Sequence, residues 1–481
     1  SEGARHAADS AAAAHEEERP DVLSGLDRLI ASRLDDLGPG TADVSVSVHT
    51  PDGRVLYERA ADRPMAPASN MKIVTAACAL SLLGHDHRFV TDIMATGQIE
   101  SGALDGDLYV VGGGDPSIVS EELWKICEAL RARGLREIRG DLVLDTSFFD
   151  GEARAVSGGD DGDRAYHART GALSLNFNTV AVHVYPGKSR GDAAVVSVTP
   201  DLGIVELRGV ATTGSSRRGT TIDVRRRFEN GRNVVAVTGR IAEGSAGRTW
   251  YRNLDDPAGC FGEALVSSLA MFGVSLDGTV REGRCPREAS LLHRHESKPL
   301  SLVVRDLGKY SNNFVAEQLL KALCAEVDGP PGSTGCGSRM LSDYLVSLGL
   351  EPASFRVVDG SGFSKDNRLT TRAIASVIAA ALADFETSCE FATSLSVGGV
   401  DGTLSDRMEF PGLRGQVRAK TGLLRGVTAI SGLLHTLAGD DVIFSVITEA
   451  GSCEAWRLHD LEHEILAYVA RETPPLGGWT D

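Results

Sequence analysis

The chain has 481 residues, 42% of them hydrophobic, and a formal net charge of −17. That length predicts about two to four domains with ample apolar material for a core, and the acidic balance argues against a nucleic-acid partner, which needs a basic face. No run of about 18 apolar residues occurs, so no transmembrane span is expected.

Residues 1–19 are rich in Ala, Glu and His and lack the apolar centre of a signal peptide, so they read as a flexible tail. From Asp21 to Leu37, apolar residues at Val22, Leu26, Leu29, Ile30 and Leu34 keep helical spacing, and Gly38-Pro39 ends the run. Val44, Val46 and Val48 alternate with polar residues, Pro51-Asp52-Gly53 makes a turn, and Val55-Leu56-Tyr57 starts a return strand. A second helix is expected to begin near Ser69 and run through Cys78 to Leu83. From about 95 to 295 the composition shifts to Gly, Val, Asp and Thr. Short alternating runs such as Leu108–Val111, Leu142–Leu144, Val180–Tyr185 and Val234–Val237 are separated by turn signals such as Glu229-Asn230-Gly231, which reads as one or two β-rich insertions.

Beyond them a helix is expected from Phe314 to Ala325, then strands at Gly415–Lys420, Val427–Leu434 and Val442–Ile447, and a last helix over Cys453–Arg471. The two chain ends thus predict one α+β domain, a five-stranded antiparallel sheet flanked by helices. The expected division is a catalytic domain from 20–94 and 296–481, an inserted domain from 95–172 and 242–295, and a further β-rich insertion at 173–241. Eight cysteines without a C-x-x-C pair leave two readings open, buried thiols or one or two bridges.

Three short patterns carry chemistry. Ser69-Asn70-Met71-Lys72 is the chain's only S-x-x-K, in a chain with only eight lysines, and spacing three puts both side chains on one helix face. A hydroxyl becomes a nucleophile when a neighbouring amine, its pKa lowered by burial, takes its proton. The alternative is a surface serine beside a solvated lysine. Ser311-Asn312-Asn313 offers a hydroxyl to relay a proton and an amide to hold a carbonyl, or else a helix N-cap. Lys420-Thr421-Gly422 ends a predicted strand, where Gly admits a substrate against the backbone and Lys and Thr attract a carboxylate, unless it is a polar turn.

In this order the three patterns resemble the penicillin-binding D-Ala-D-Ala carboxypeptidases/endopeptidases with inserted domains, the low-molecular-mass class C type. Gly112–Pro116, Gly140–Val143, Ala172–Asn178, Asp359–Gly362, Asp366–Arg368 and Gly399–Leu404 also resemble motifs of that family, so the likeness runs from about residue 22 to 470. The resemblance implies the serine β-lactamase/DD-peptidase-like fold. It implies peptidoglycan stem peptides as substrates, β-lactams as covalent inhibitors, no cofactor, and a periplasmic or otherwise extracytoplasmic setting. It further implies that Ser69 attacks the carbonyl of the penultimate D-Ala with Lys72 as base, and that Ser311 protonates the departing D-Ala. The backbone N–H groups of Ser69 and Leu423 would form the oxyanion hole. Lys420 and Thr421 would attract the terminal carboxylate, Lys420 also keeping Lys72 neutral by repulsion.

The chain departs from the family where Leu423 replaces the usual hydroxyl residue, with Arg425 placed to compensate in charge. Ser361, Phe363 and Lys365 resemble a wall of the stem-peptide pocket, Lys standing where Arg is common and Phe where Leu is. Asp161 and Tyr166, from the insertion, are expected to complete that pocket or to be a polar surface loop. His459-Asp460-Leu461-Glu462-His463 matches a zinc-peptidase pattern, H-x-x-E-H, but sits on the expected last helix without an evident third ligand, so no metal is expected. A β-lactamase, a D-amino-acid esterase and a non-catalytic wall-binding protein remain alternatives. The first is disfavoured by the lack of an obvious Glu-x-x-Leu-Asn element.

Overall fold

The computed structural model describes residues 23–38, 42–152, 162–409, 412–451 and 455–476. The expected tail 1–19, Asp161 and Cys453 lie outside them. A six-stranded antiparallel sheet is built from both chain ends in the order Val55–Arg59, Ala42–His49, Asp441–Ala450, Val427–His435, Val417–Leu424, Ser396–Val397. Its five long strands are the expected ones, and a two-residue strand extends the Val417–Leu424 edge.

Strand alternation distributes side chains to two covered faces. Val44, Val46, Val48, Val442 and Phe444 pack against Leu26 and Ile30 of helix Ser24–Leu37 and Leu461 and Ile465 of helix Ala455–Glu472. Ile443, Ile447 and Ala429 face the other way, onto helices Met71–Leu83 and Thr371–Ala383. Because that second face is buried too, the intervening serines need partners. Ser45 Oγ meets Thr371 Oγ1 at 2.8 Å, and Ser431 Oγ meets Ser445 Oγ at 2.8 Å.

The inserted part starts and ends earlier and later than the composition suggests. Val90–Ala95 pairs with Leu108–Val111 on one side and with Ser290–Glu296 on the other, so the expected limits at 94/95 and 295/296 cut through paired strands. These strands belong to a five-stranded mixed sheet with Leu142–Asp145 and Val280–Glu282. Two helices cover it, Ser120–Ala132 and Pro257–Met271, burying Leu123, Ile126, Leu130, Phe261 and Leu265. The β-rich reading does not account for either helix, although Leu123, Ile126, Cys127 and Leu130 keep helical spacing. The expected limit at 241/242 also shifts, because Arg248–Asn253 pairs with Thr179–Tyr185 in a three-stranded sheet with Val195–Thr199. In the adjoining sheet, Asn230 and Gly231 both adopt positive φ and make the hairpin turn between Asp223–Glu229 and Arg232–Ala242.

Helix Asn313–Val327 joins the two parts. Gln318 donates to the carbonyls of Gly171 (2.7 Å) and Gly114 (3.2 Å) and accepts from Gly171 N (3.1 Å), while buried Lys321 donates to Asp150 Oδ1 at 2.6 Å. A disulfide, Cys324–Cys336, links this helix to Thr334–Ser347, and Cys78, Cys127 and Cys260 are buried thiols. Both readings of the cysteines therefore apply, to different residues. Among the described residues no helix is long and apolar enough to cross a membrane.

Candidate active site

The Ser69 turn is held from three sides. Ala68–Asn70 forms a single 3-10 turn that runs into helix Met71–Leu83, and Ala68 takes a positive φ of 47°, uncommon for a residue with a Cβ. Asn70 Nδ2 donates to Ser431 Oγ at 2.7 Å, tying the turn to the central sheet. Gly422 lies directly against it, for a Cβ there would stand 3.0 Å from Ser69 N and from Ala68 Cβ. Gly362 is closer still: its Cβ would fall 1.7 Å from the Ala68 carbonyl oxygen, and its own φ is +78°.

Lys72, one helical turn on, is buried, and its Nζ lies 2.9 Å from Ser69 Oγ, 2.8 Å from Asn313 Oδ1 and 2.7 Å from Ser361 O. The last two atoms only accept. A neutral amine has two hydrogens and one lone pair, so donating to both oxygens leaves the lone pair for the Ser69 hydroxyl proton. Burial pushes the Lys72 pKa down to about 8, against the pull of Asp359 and Glu317. Those carboxyls lie beneath the site. Asp359 accepts from Gly362 N (2.6 Å) and Ser364 N (2.7 Å), and Glu317 from Ser361 N (2.9 Å), which fixes the Ser361 carbonyl for Lys72. Burial, with the neighbouring Asp359 charge, raises the Glu317 pKa well above the usual carboxyl range, and burial also raises Asp359.

Ser311 sits at positive φ between helices Leu300–Tyr310 and Asn313–Val327. The cap of the second helix is Asn312, whose Oδ1 accepts from Val315 N. Ser311 and Asn313 are thus free of the capping role and face the site. Buried Lys420 donates to Ser311 Oγ at 2.8 Å and to Thr421 O at 2.7 Å. Its pKa is driven well below the ordinary lysine value by burial and then by Lys72. The repulsion expected to neutralise Lys72 is therefore expressed on Lys420, and burial is what lowers Lys72. Strand Val417–Leu424 carries Lys420 mid-strand, not at its end, because the turn falls at Arg425-Gly426. Thr421 Oγ1 donates to Thr403 Oγ1 at 2.8 Å.

Ser69 opens into a cleft of about 800 Å³, walled by Tyr166, Phe363, Lys365, Leu423 and Arg425 and reached by Asn313. Phe363 packs 5.8 Å from the Tyr166 ring and 5.1 Å from His167, and Lys365 Nζ donates to Arg425 O at 2.7 Å. Asn313 Nδ2 donates to Tyr166 O at 3.2 Å, which brings the insertion to the cleft. Ser361 corrects the expected wall. It is 1% exposed, its Oγ accepts from Phe363 N, and its carbonyl serves Lys72. Sequence reading passed over Glu317, His167 and the partner role of Thr403. Glu317 had a signal: it lies four residues after Asn313, on the same helix face. The H-x-x-E-H segment lies elsewhere. Fully buried Glu462 accepts from Arg407 Nη2 at 2.7 Å and His463 Nε2 accepts from Arg407 Nε at 3.2 Å. Burial, with Arg407 nearby, pushes His459 and His463 down to about 4.

Known proteins share this architecture and much of this sequence. The chain is 34% identical over 429 residues to a D-alanyl-D-alanine carboxypeptidase of Actinomadura sp. (strain R39), covering 86% of this chain and 78% of that protein. It is 28% identical over 384 residues to the D-alanyl-D-alanine carboxypeptidase DacB of Haemophilus influenzae, covering 79% of each. The fold matches that of penicillin binding protein 4 (dacB) from Haemophilus influenzae with a TM-score of 0.80 at 24% identity, over 92% of this chain and 99% of that one. The D-Ala-D-Ala carboxypeptidase 3 (S13) family model matches residues 26–470, and the chain therefore belongs to that family.

Proposed function

We propose that this cleft is the catalytic centre of a serine D-Ala-D-Ala carboxypeptidase acting on peptidoglycan stem peptides, with Ser69 as nucleophile and Lys72 as its base. The observation that carries the reading is the contact set of Lys72: two pure acceptors, Asn313 Oδ1 and Ser361 O, hold its Nζ within 2.9 Å of Ser69 Oγ, so that loss of one proton turns the lone pair on the serine hydroxyl. Ser69 Oγ adds to the carbonyl of the penultimate D-Ala as its proton passes to Lys72 Nζ. The oxyanion is held by the N–H groups of Ser69 and Leu423, each such donor typically worth about 10²–10³ in rate. Collapse of the intermediate breaks the peptide bond, and Ser311, backed by Lys420, protonates the departing D-Ala amine. The proton held by Lys72 passes back to Ser311, leaving the amine neutral again; water then attacks the ester, gives its proton to Lys72, and Lys72 returns it to Ser69 Oγ as the ester bond breaks. Thr421, its hydroxyl turning from Thr403 to the substrate, orients the terminal carboxylate, and Phe363, Lys365 and Tyr166 receive the stem peptide. β-Lactams mimic the acylating bond and stop at the ester. An extracytoplasmic setting fits this substrate, and the Cys324–Cys336 bridge fits an oxidising compartment.

The test is labelling with a fluorescent penicillin, together with D-Ala release from a D-Ala-D-Ala peptide. A long-lived adduct on Ser69 and stoichiometric D-Ala are expected. Rapid turnover of the penicillin, or no adduct, overturns the reading. The base must be neutral to act, so acylation is expected to rise with pH through about 8 and level off above it. A pH–rate profile with no rise there removes Lys72 from the role of base. Leu423 is 56% exposed at the cleft and offers no hydroxyl to the carboxylate. Leu423→Thr is expected to lower KM for a D-Ala-D-Ala peptide by about tenfold, the worth of one hydrogen bond to a charged group, read by steady-state kinetics.

A further inference from the structure

The three-stranded sheet Val195–Thr199, Thr179–Tyr185 and Arg248–Asn253 buries one face and opens the other. Val182, Val184 and Trp250 pack inward against Val235 and Val237 of the adjoining sheet. The alternate positions point outward. Tyr185, 45% exposed, stands opposite Val195, and Tyr251, 59% exposed, stands opposite Ala181. Between them His183 bridges the strands, one ring nitrogen 2.9 Å from Thr249 Oγ1 and the other 3.1 Å from Thr199 Oγ1. Its ring is stacked at 22° on Tyr185, with centroids 6.5 Å apart. Four strand steps separate the two tyrosine positions, roughly 13 Å, the span of a short oligosaccharide.

We propose that this face binds the glycan strand of peptidoglycan, an inference that rests on the reading of the cleft as a stem-peptide hydrolase. Sugars present a C–H face that stacks on an aromatic ring, and a rim of hydroxyl and acetamido groups that need hydrogen bonds. Two exposed tyrosines with threonine hydroxyls and an imidazole between them supply both. A polyanion is disfavoured, since the outward positions of the three strands hold no Lys or Arg, and Arg248 and Arg252 stand opposite the inward-facing Val184 and Val180. The face also leads into the cleft. Two residues after Tyr251, Asn253 Nδ2 donates to the carbonyls of His167 (2.9 Å) and Gly162 (3.0 Å), and Tyr166 and His167 line the catalytic cleft. A glycan lying on the sheet would present its pendant peptides beside Ser69.

The experiment measures binding of the full chain to glycan strands stripped of their peptides and to N-acetylglucosamine oligomers. The double variant Tyr185→Ala/Tyr251→Ala is expected to weaken binding by about tenfold or more, as for loss of two stacking platforms, while Tyr185→Phe/Tyr251→Phe retains most of it. Its kcat/KM on a short soluble D-Ala-D-Ala peptide should stay unchanged, and KM on intact peptidoglycan should rise. Glycan binding that is absent in the unmodified chain, equal in the alanine variant, or abolished by high salt as a polyanion site would be, overturns the proposal. Penicillin labelling of Ser69 is read in parallel. Its failure refutes the catalytic reading without touching glycan binding, so the two failures are told apart.

Discussion

Replacing Lys72 with methionine is expected to slow acylation of Ser69 about 10²–10⁴-fold, the usual worth of a positioned general base. The side chain is of similar length and apolar, so it fills the same buried space, and the substitution removes a group whose charged form burial already disfavours. Asn313 Oδ1 and Ser361 O each lose a donor, at about 1–3 kcal/mol per buried acceptor, so some stability is lost but the fold should persist. The measurement is the rate of fluorescent-penicillin labelling, with a thermal melt on the same sample. Labelling at the unaltered rate with an intact melt would show that another group takes the Ser69 proton. Ser69→Ala should abolish the adduct altogether and serves as the floor of the assay.

Gly362→Ala is expected to lower both stability and acylation by a different route. The new Cβ would fall 1.7 Å from the Ala68 carbonyl oxygen, and the backbone there sits at φ +78°, so both the clash and the conformation oppose it. The relief must come from the nucleophile turn or from the Asp359–Ser364 loop. Either movement breaks an arrangement in which Gly362 N and Ser364 N hold Asp359 and the Ser361 carbonyl holds Lys72. We expect a loss of about 3 kcal/mol or more, as for an overpacked core position, and an acylation rate at least about tenfold lower at temperatures where the fold survives. Gly53→Ala is the control. Gly53 also has positive φ, +90°, but nothing lies within 4 Å of its Cβ, so only the backbone strain is added and acylation should not change. Equal effects at the two glycines in urea melts and labelling assays would show that steric contact at Gly362 does not position the nucleophile.

The legible parts of the site were those in which reactive residues are close in sequence. Ser69 and Lys72 share a helix face by spacing alone, and Lys420-Thr421-Gly422 announces a strand with a glycine for close approach. Glu317 and Asp359 were harder to see. They are 42 residues apart, and an isolated Glu on a helix or Asp before a glycine usually faces solvent. Only packing of helix Asn313–Val327 against the Asp359–Ser364 loop buries both. The same limit applies to Ser361. Its hydroxyl looked like a pocket wall, yet the loop turns it inward and uses its carbonyl instead. The helices of the insertion were missed for a nearer reason, because Gly- and Val-rich strands on either side dominated the local composition.

Alternating valines, turn residues and three short motifs determined the antiparallel sheet, its flanking helices and the Ser69–Lys72 pair proposed as nucleophile and base, because strand and helix periodicity and side-chain spacing are local properties of a chain. The tertiary structure decided the rest. It brings Asn313 to Lys72 across 241 residues and Ser311 to Lys420 across 109, and it lays Tyr166 of the insertion over the cleft. It also lowers the lysine pKa values by enclosing both amines. Enclosure is a property of all the surrounding elements at once, and no stretch of sequence carries it alone.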